Sequence, residues 1–212
     1  MSRTLTRLFD DYADAQTAVT ELERLGVPHS DLSIVANNVH GTHGRHDQDG
    51  DHDVTDVNDH GDVSRGLSTG AVLGGVGGLL AGLGLLAIPG LGPIVAAGWL
   101  ASTAAGAAIG GAGGAATGSL VGALKNAGHS EDEANVYSEG VRRGGTLVSA
   151  KVDDDLVGET EAVLDGNRGV SATTRGADYR QSGWTAFDET AAPYGADEID
   201  RDRATYRREH SL

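Results

Sequence analysis

Thr146-Leu147-Val148-Ser149-Ala150-Lys151-Val152-Asp153-Asp154 decides the fold, because it repeats the plan on which the chain opens, Thr4-Leu5-Thr6-Arg7-Leu8-Phe9-Asp10-Asp11. Each is a short run of strand formers that ends in paired aspartates. After the first, Ala15, Ala18, Val19, Leu22 and Leu25 recur at three- and four-residue spacing, Gly26-Val27-Pro28 stops the helix, and Leu32, Ile34 and Val35 mark a strand. After the second come a helix with Leu156, Val157, Thr160, Val163 and Leu164, a break at Gly166-Asn167, and a strand through Val170 and Ala172. Two strand-helix-strand units with right-handed crossovers predict an α+β fold, a ferredoxin-like sandwich of four strands with the helices on one face. The aspartate pairs Asp10-Asp11 and Asp153-Asp154 stand where helix N-termini take acidic caps, so they imply no catalytic dyad.

Between the units lies a span from Gly66 to Leu124 without one charged residue. Glycine recurs in it at every fourth position, first as Gly66, Gly70, Gly74, Gly78 and Gly82, then as Gly106, Gly110, Gly114, Gly118 and Gly122. Residues four apart share a helix ridge, so each ladder predicts a groove in which a neighbouring backbone sits close. The ladders thus predict an inserted glycine-zipper hairpin of two helices, Gly66 to Ile88 and Ile94 to Leu124, turning at Pro89, Gly90, Gly92 and Pro93. Each interior glycine costs about 0.8–1 kcal/mol against alanine, a deficit that lipid or partner helices must offset. A helix over residues 66–88 is about 35 Å long, enough to cross a ~30 Å hydrocarbon layer. Arg65 and Lys125 flank the span on one side, which by the positive-inside tendency places both halves of the α+β domain in the cytoplasm and the hairpin in a bacterial inner membrane. The alternative is a soluble homo-oligomer in which hairpins from several copies share a core.

The expected organisation is a first half of the α+β domain over 1–37, a disordered His/Asp-rich loop over 38–65, the hairpin over 66–124, the second half over 125–175, and a tail with a charged helix over 176–212. In the second half, Ser130 and Glu133 form a capping-box pair, and Gly144-Gly145 closes that helix. A formal charge of −15 opposes nucleic-acid binding, and the absence of cysteine removes disulfides, thiolate nucleophiles and cysteine-bound metal. His40, His43 and His46 are closely spaced among aspartates, but a polar loop supplies neither fixed geometry nor supporting hydrogen bonds, so no metal site is assigned. The glycine text around Gly74 lacks a preceding strand and a Walker lysine-serine pair, which excludes a nucleotide loop and leaves no cofactor. Trp184 and Phe187 are docking or anchoring residues of the tail.

The chain resembles a bacterial general stress protein family of the heat-induced type. The resemblance is carried by Thr6-Arg7-Leu8-Phe9-Asp10 with Tyr12-Ala13-Asp14-Ala15, by Ser30-Asp31-Leu32-Ser33-Ile34-Val35-Ala36-Asn37, by Ala87-Ile88-Pro89-Gly90-Leu91-Gly92-Pro93 with Ala96-Ala97-Gly98-Trp99, and by Glu133-Ala134 through Tyr137 to Glu139-Gly140-Val141-Arg142-Arg143-Gly144-Gly145. It covers most of residues 3–175 and implies a non-enzymatic stress-response protein with no catalytic residues to carry over. The expectation is therefore a membrane-associated, self-associating stress protein.

Overall fold

The computed structural model describes residues 2–42, 83–103 and 119–209. It is a mixed α+β fold with a five-stranded antiparallel sheet. The strands are β1 (Ser2–Phe9), β2 (Leu32–Asn37), β3 (Gly84–Ile88), β4 (Gly92–Gly98) and β5 (Thr146–Asp153), in the spatial order β1-β5-β2-β4-β3. The two runs that resemble each other pair directly, with Leu5 opposite Ala150 and Leu8 opposite Leu147. Strand β2 reads Leu-Ser-Ile-Val-Ala-Asn and is buried on every residue, as a central strand covered on both faces must be.

Helix α1 (Tyr12–Leu25) buries Ala15, Ala18, Val19 and Leu22 on the sheet and ends at Gly26, whose φ of 99° receives the chain in the left-handed region. Helix α2 (Leu120–Asn126) leads through His129 to α3 (Glu131–Arg142), which opens on the expected capping box between Ser130 and Glu133. Helix α4 (Val157–Gly166) follows β5 as α1 follows β1. Helices α5 (Ala172–Gln181) and α6 (Ala196–Glu209) complete the chain. Phe9, Leu22, Ile34, Val148 and Leu164 form one core between the sheet and α1 with α4. Leu8, Val35, Ile94, Leu124, Val136 and Leu147 form a second core under α2, α3 and α5. Helices thus cover both faces, not the single face expected.

Three further expectations are corrected. The ends of the two predicted hairpin helices are strands: Gly84–Ile88 and Gly92–Gly98 form a β-hairpin with Leu86 opposite Ile94, and β4 pairs with β2. A five-residue apolar run bounded by Pro-Gly fits either structure by pattern, and the edge of β2 supplies backbone partners that only a strand can take. Secondly, the strand expected through Val170 and Ala172 is a single bridge, Leu8 with Val170, because Ser171 caps α5 by accepting from Thr174 N–H. Thirdly, neither aspartate pair caps its helix by a side-chain hydrogen bond, since α1 begins after Asp11 and α4 after Leu156 without one.

Candidate functional site

Pro89, Gly90, Gly92 and Pro93 do make a turn, but it joins strands. Gly90 has a φ of 76°, and a Cβ there would lie 3.0 Å from the backbone of Glu189. The same side is closed by Phe187, buried to 8% exposure, and a Cβ on Gly92 would lie 2.9 Å from Pro193. The segment after α5 is therefore a strap laid over the hairpin turn. Tail residues Trp184 and Phe187 belong to the α3-side core, and Ile199 of α6 is fully buried. The charged helix expected in the tail is present as α6 and is docked through Ile199 and Asp202.

Of the ladder glycines, Gly66, Gly70, Gly74, Gly78, Gly82, Gly106, Gly110, Gly114 and Gly118 lie outside the described residues. Gly122 sits in α2 between buried Leu120 and Leu124, and α2 packs on α3. Both ladders join the fold at packed or hydrogen-bonded residues. Leu83, at the foot of the first, packs on the α1-side core. At the head of the second, Trp99 donates from Nε1 to the Asp31 carbonyl at 3.2 Å and lies 3.9 Å beneath Lys151 Nζ. The second ladder is tied down again at Ser119, whose side chain caps α2 by accepting from Gly122 N–H. Beside Lys151 is a cleft of about 330 Å³ lined by Val27, Pro28, Asp31, Val152, Asp153 and Leu156.

Under the strap, the C-terminal turn of α3 carries a buried ionic cluster. Glu139, 1% exposed, accepts from Arg143 Nε at 2.7 Å and lies 3.5 Å from Arg142 Nη1. Arg143 reaches on to Asp202 at 3.1 Å, and Arg142 donates to the Ala192 carbonyl at 3.0 Å. The Arg142 guanidinium is stacked 4.7 Å over Tyr194, and that of Arg143 4.5 Å over Tyr179. These contacts commit Arg142 to the strap and Arg143 to the helices on either side of it, α5 and α6. The signal in the sequence is a glutamate with arginines three and four residues on, one helical turn apart, but their partners come from 50 to 59 residues away.

A second polar group pins the α2–α3 junction to the sheet. Ser149 Oγ and Thr6 Oγ1 are 2.9 Å apart, Thr6 Oγ1 is 2.8 Å from His129 Nε2, and His129 Nδ1 is 3.9 Å from Glu133. Tyr137 donates from its hydroxyl to the Thr6 carbonyl at 2.7 Å and accepts from Ala172 N–H. The order hydroxyl, imidazole, carboxylate looks like a nucleophile with its base, but Thr6 is 1% exposed and Ser149 0%, so no substrate atom reaches either oxygen. Burial holds the His129 pKa below its ordinary value, against a smaller pull from Glu133, and drives that of Tyr137 up to about 12. The group is a cross-link between layers.

At the other end of the sheet His40 Nε2 lies 3.4 Å from Asp200, beside a cavity of about 90 Å³ bounded by Asp11, Tyr12, Asn37, Thr42, Gly144 and Ile199. His43, His46 and most of the His/Asp-rich loop lie outside the described residues. Among the described residues no group of three or more His, Cys, Asp or Glu side chains is placed to hold a metal ion, and no helix is long and apolar enough to cross a membrane. No family model, no curated protein and no solved structure matches the chain.

Proposed function

We propose that the chain is a non-enzymatic bacterial stress-response protein that self-associates through its two glycine-rich segments, which a ferredoxin-like core holds at defined points. The core reading is supported by the order Val170, β1, β5, β2, in which the fourth strand is reduced to one bridge. The stress assignment is supported by the resemblance of residues 3–175 to the general stress proteins. Self-association is supported by ten laddered glycines in an uncharged span.

What favours a shared core over a spanning hairpin is that residues 104–118 lie between Thr103, after β4, and Ser119, which caps α2. Fifteen residues extend at most about 50 Å, less than the ~60 Å needed to enter and return across a bilayer core. On that length a shared core between copies serves the second ladder better than two crossings of a bilayer. Residues 66–82 support a second reading. They follow Thr42 by more than twenty residues, are uncharged, and as a helix would be about 25 Å long, enough to dip into an inner membrane from the cytoplasmic side without crossing it.

Size-exclusion chromatography with light scattering, with and without detergent, tests the shared core. The expected result is a detergent-independent oligomer that Gly74→Leu and Gly114→Leu weaken. A monomer in the wild type overturns the reading. Resistance of the expressed protein to carbonate extraction would establish the membrane reading instead.

A further inference from the structure

We propose that strand β3 is a self-pairing edge, at which a second copy of this chain adds its own β3 antiparallel to form a ten-stranded sheet across a two-fold axis. The inference names a second contact for the self-association proposed above and rests on that reading.

Strand β3 ends the sheet, with β4 on one side and no described strand on the other. Among the described residues its backbone makes no hydrogen bond outside the hairpin, whose turn is closed by Leu91 N–H donating to the Ile88 carbonyl, while Leu86 and Ile88 pack inward on the α3-side core. An open edge of this kind is a template for another strand. Natural edges are guarded by lysine, an internal proline, a bulge or an inward charge. Gly84-Leu85-Leu86-Ala87-Ile88 has none of these, and Pro89 lies just beyond it. Instead it carries Leu85, the exposed large hydrophobic residue of the described chain at 69%, with Ala87 exposed on the same face.

Charge selects the occupant. A chain at −15 repels copies of itself wherever its acidic surface would meet. The span 66–124 is the place where two copies meet without charge, and β3 is its exposed described strand. Antiparallel pairing about Leu86 sets Leu85 against Ala87 of the second copy, and Ala87 against its Leu85, so the two exposed side chains of each copy cover those of the other. The strand pair, through Gly84–Ile88, and the ladder contact use different residues and can be broken separately.

The native chain has no cysteine, so introduced thiols report the pairing without interference. Full-length Leu85→Cys and Ala87→Cys chains, mixed in equal amounts and mildly oxidised, are expected to yield the mixed disulfide dimer in at least tenfold excess over either self-linked dimer. Leu85→Lys, at an exposed position that leaves the fold intact by circular dichroism, is expected to raise the dissociation constant at least tenfold. Oligomers that light scattering detects but that neither cross-link at these positions nor respond to Leu85→Lys overturn the strand pair and leave self-association standing. Preferential linking of Leu85→Cys to itself also overturns the proposed register. Monomers throughout overturn both proposals, whereas an intact cross-link in the Gly74→Leu and Gly114→Leu background supports the strand pair and counts against the ladders alone.

Discussion

The two faces of the sheet are built on different principles. On the α1 and α4 face, Phe9, Val19, Leu22, Ile34, Val148 and Leu164 meet as aliphatic and aromatic surface. On the α3 face an apolar layer is shared with Thr6, Ser149, Ser138, Glu139 and Arg175, all buried. The first face can be specified by periodicity alone, since any well-shaped apolar helix satisfies it. The second depends on partners that must arrive together, because a buried carboxylate or guanidinium without its counterpart is expensive. Its glycines record the same demand for fit. A Cβ on Gly140 would collide with the Leu8 side chain, so α3 lies close on β1 and any larger residue there would have to displace Leu8. One face therefore supplies stability, and the other fixes where the strap and the α2–α3 junction sit.

The largest test of this contrast is Phe9→Ala, which empties a fully buried site on the apolar face. Urea unfolding is expected to show a loss of about 3–5 kcal/mol, with cooperativity retained. A loss under 1 kcal/mol would mean that the apolar face is not the main source of stability. Glu139→Ala tests the other face. It leaves Arg142 and Arg143 under the strap without their shared carboxylate, and the expected loss is about 3 kcal/mol, accompanied by release of the strap. Limited proteolysis between Ser182 and Ala196 reports that release, and unchanged protection would show that the strap is held by Phe187 and Ile199 rather than by the ionic cluster.

The difference between the faces also explains what the sequence made legible. Strands β1 and β5, helix α1 with its Gly26 stop, and the Ser130–Glu133 box were readable because each is local, set by alternation, helical spacing or a cap within four residues. The β-hairpin was not, because small residues at four-residue spacing suit a close helix pair while Leu85, Ile94 and Val95 suit a strand, and the vacant edge of β2 decides between them. The cluster at Glu139 was invisible for another reason. Its meaning lies in Asp202 and Ala192, which return to α3 only after the chain has made β5, α4 and α5. Thr6 and His129 likewise meet across 123 residues.

A smaller effect sharpens the distinction between local and distant contributions. Ser130→Ala removes the side-chain acceptor for Glu133 N–H at the start of α3. The expected loss is about 1 kcal/mol in urea unfolding, without strap release, because the cap lies at the far end of α3 from Glu139. Concomitant cleavage of the strap would show that the two ends of the helix act as one unit and would erase the separation drawn above.

His129 supplies the finest discrimination. Its ring is packed edge-on against Tyr137, bonded to Thr6 and faced by Glu133, and burial keeps its folded pKa below the ordinary 6.5. The unfolded chain then takes up the proton first as pH falls, so the unfolded state binds more protons and stability declines below about pH 6.5. The decline stops once pH has passed below the lowered folded pKa. Glu133, whose pKa is also lowered, contributes stability that is lost only under more acidic conditions, below its usual 4.5. Between pH 5 and 8 the slope that separates wild type from His129→Gln therefore belongs to the imidazole. A stability difference that grows towards high pH in favour of the wild type is the expected outcome of urea titrations at each pH. The opposite slope would mean that the ring is held as the cation by Glu133, and the α3 face would then contain one more ion pair at the place where a neutral hydrogen-bonded pin is assigned.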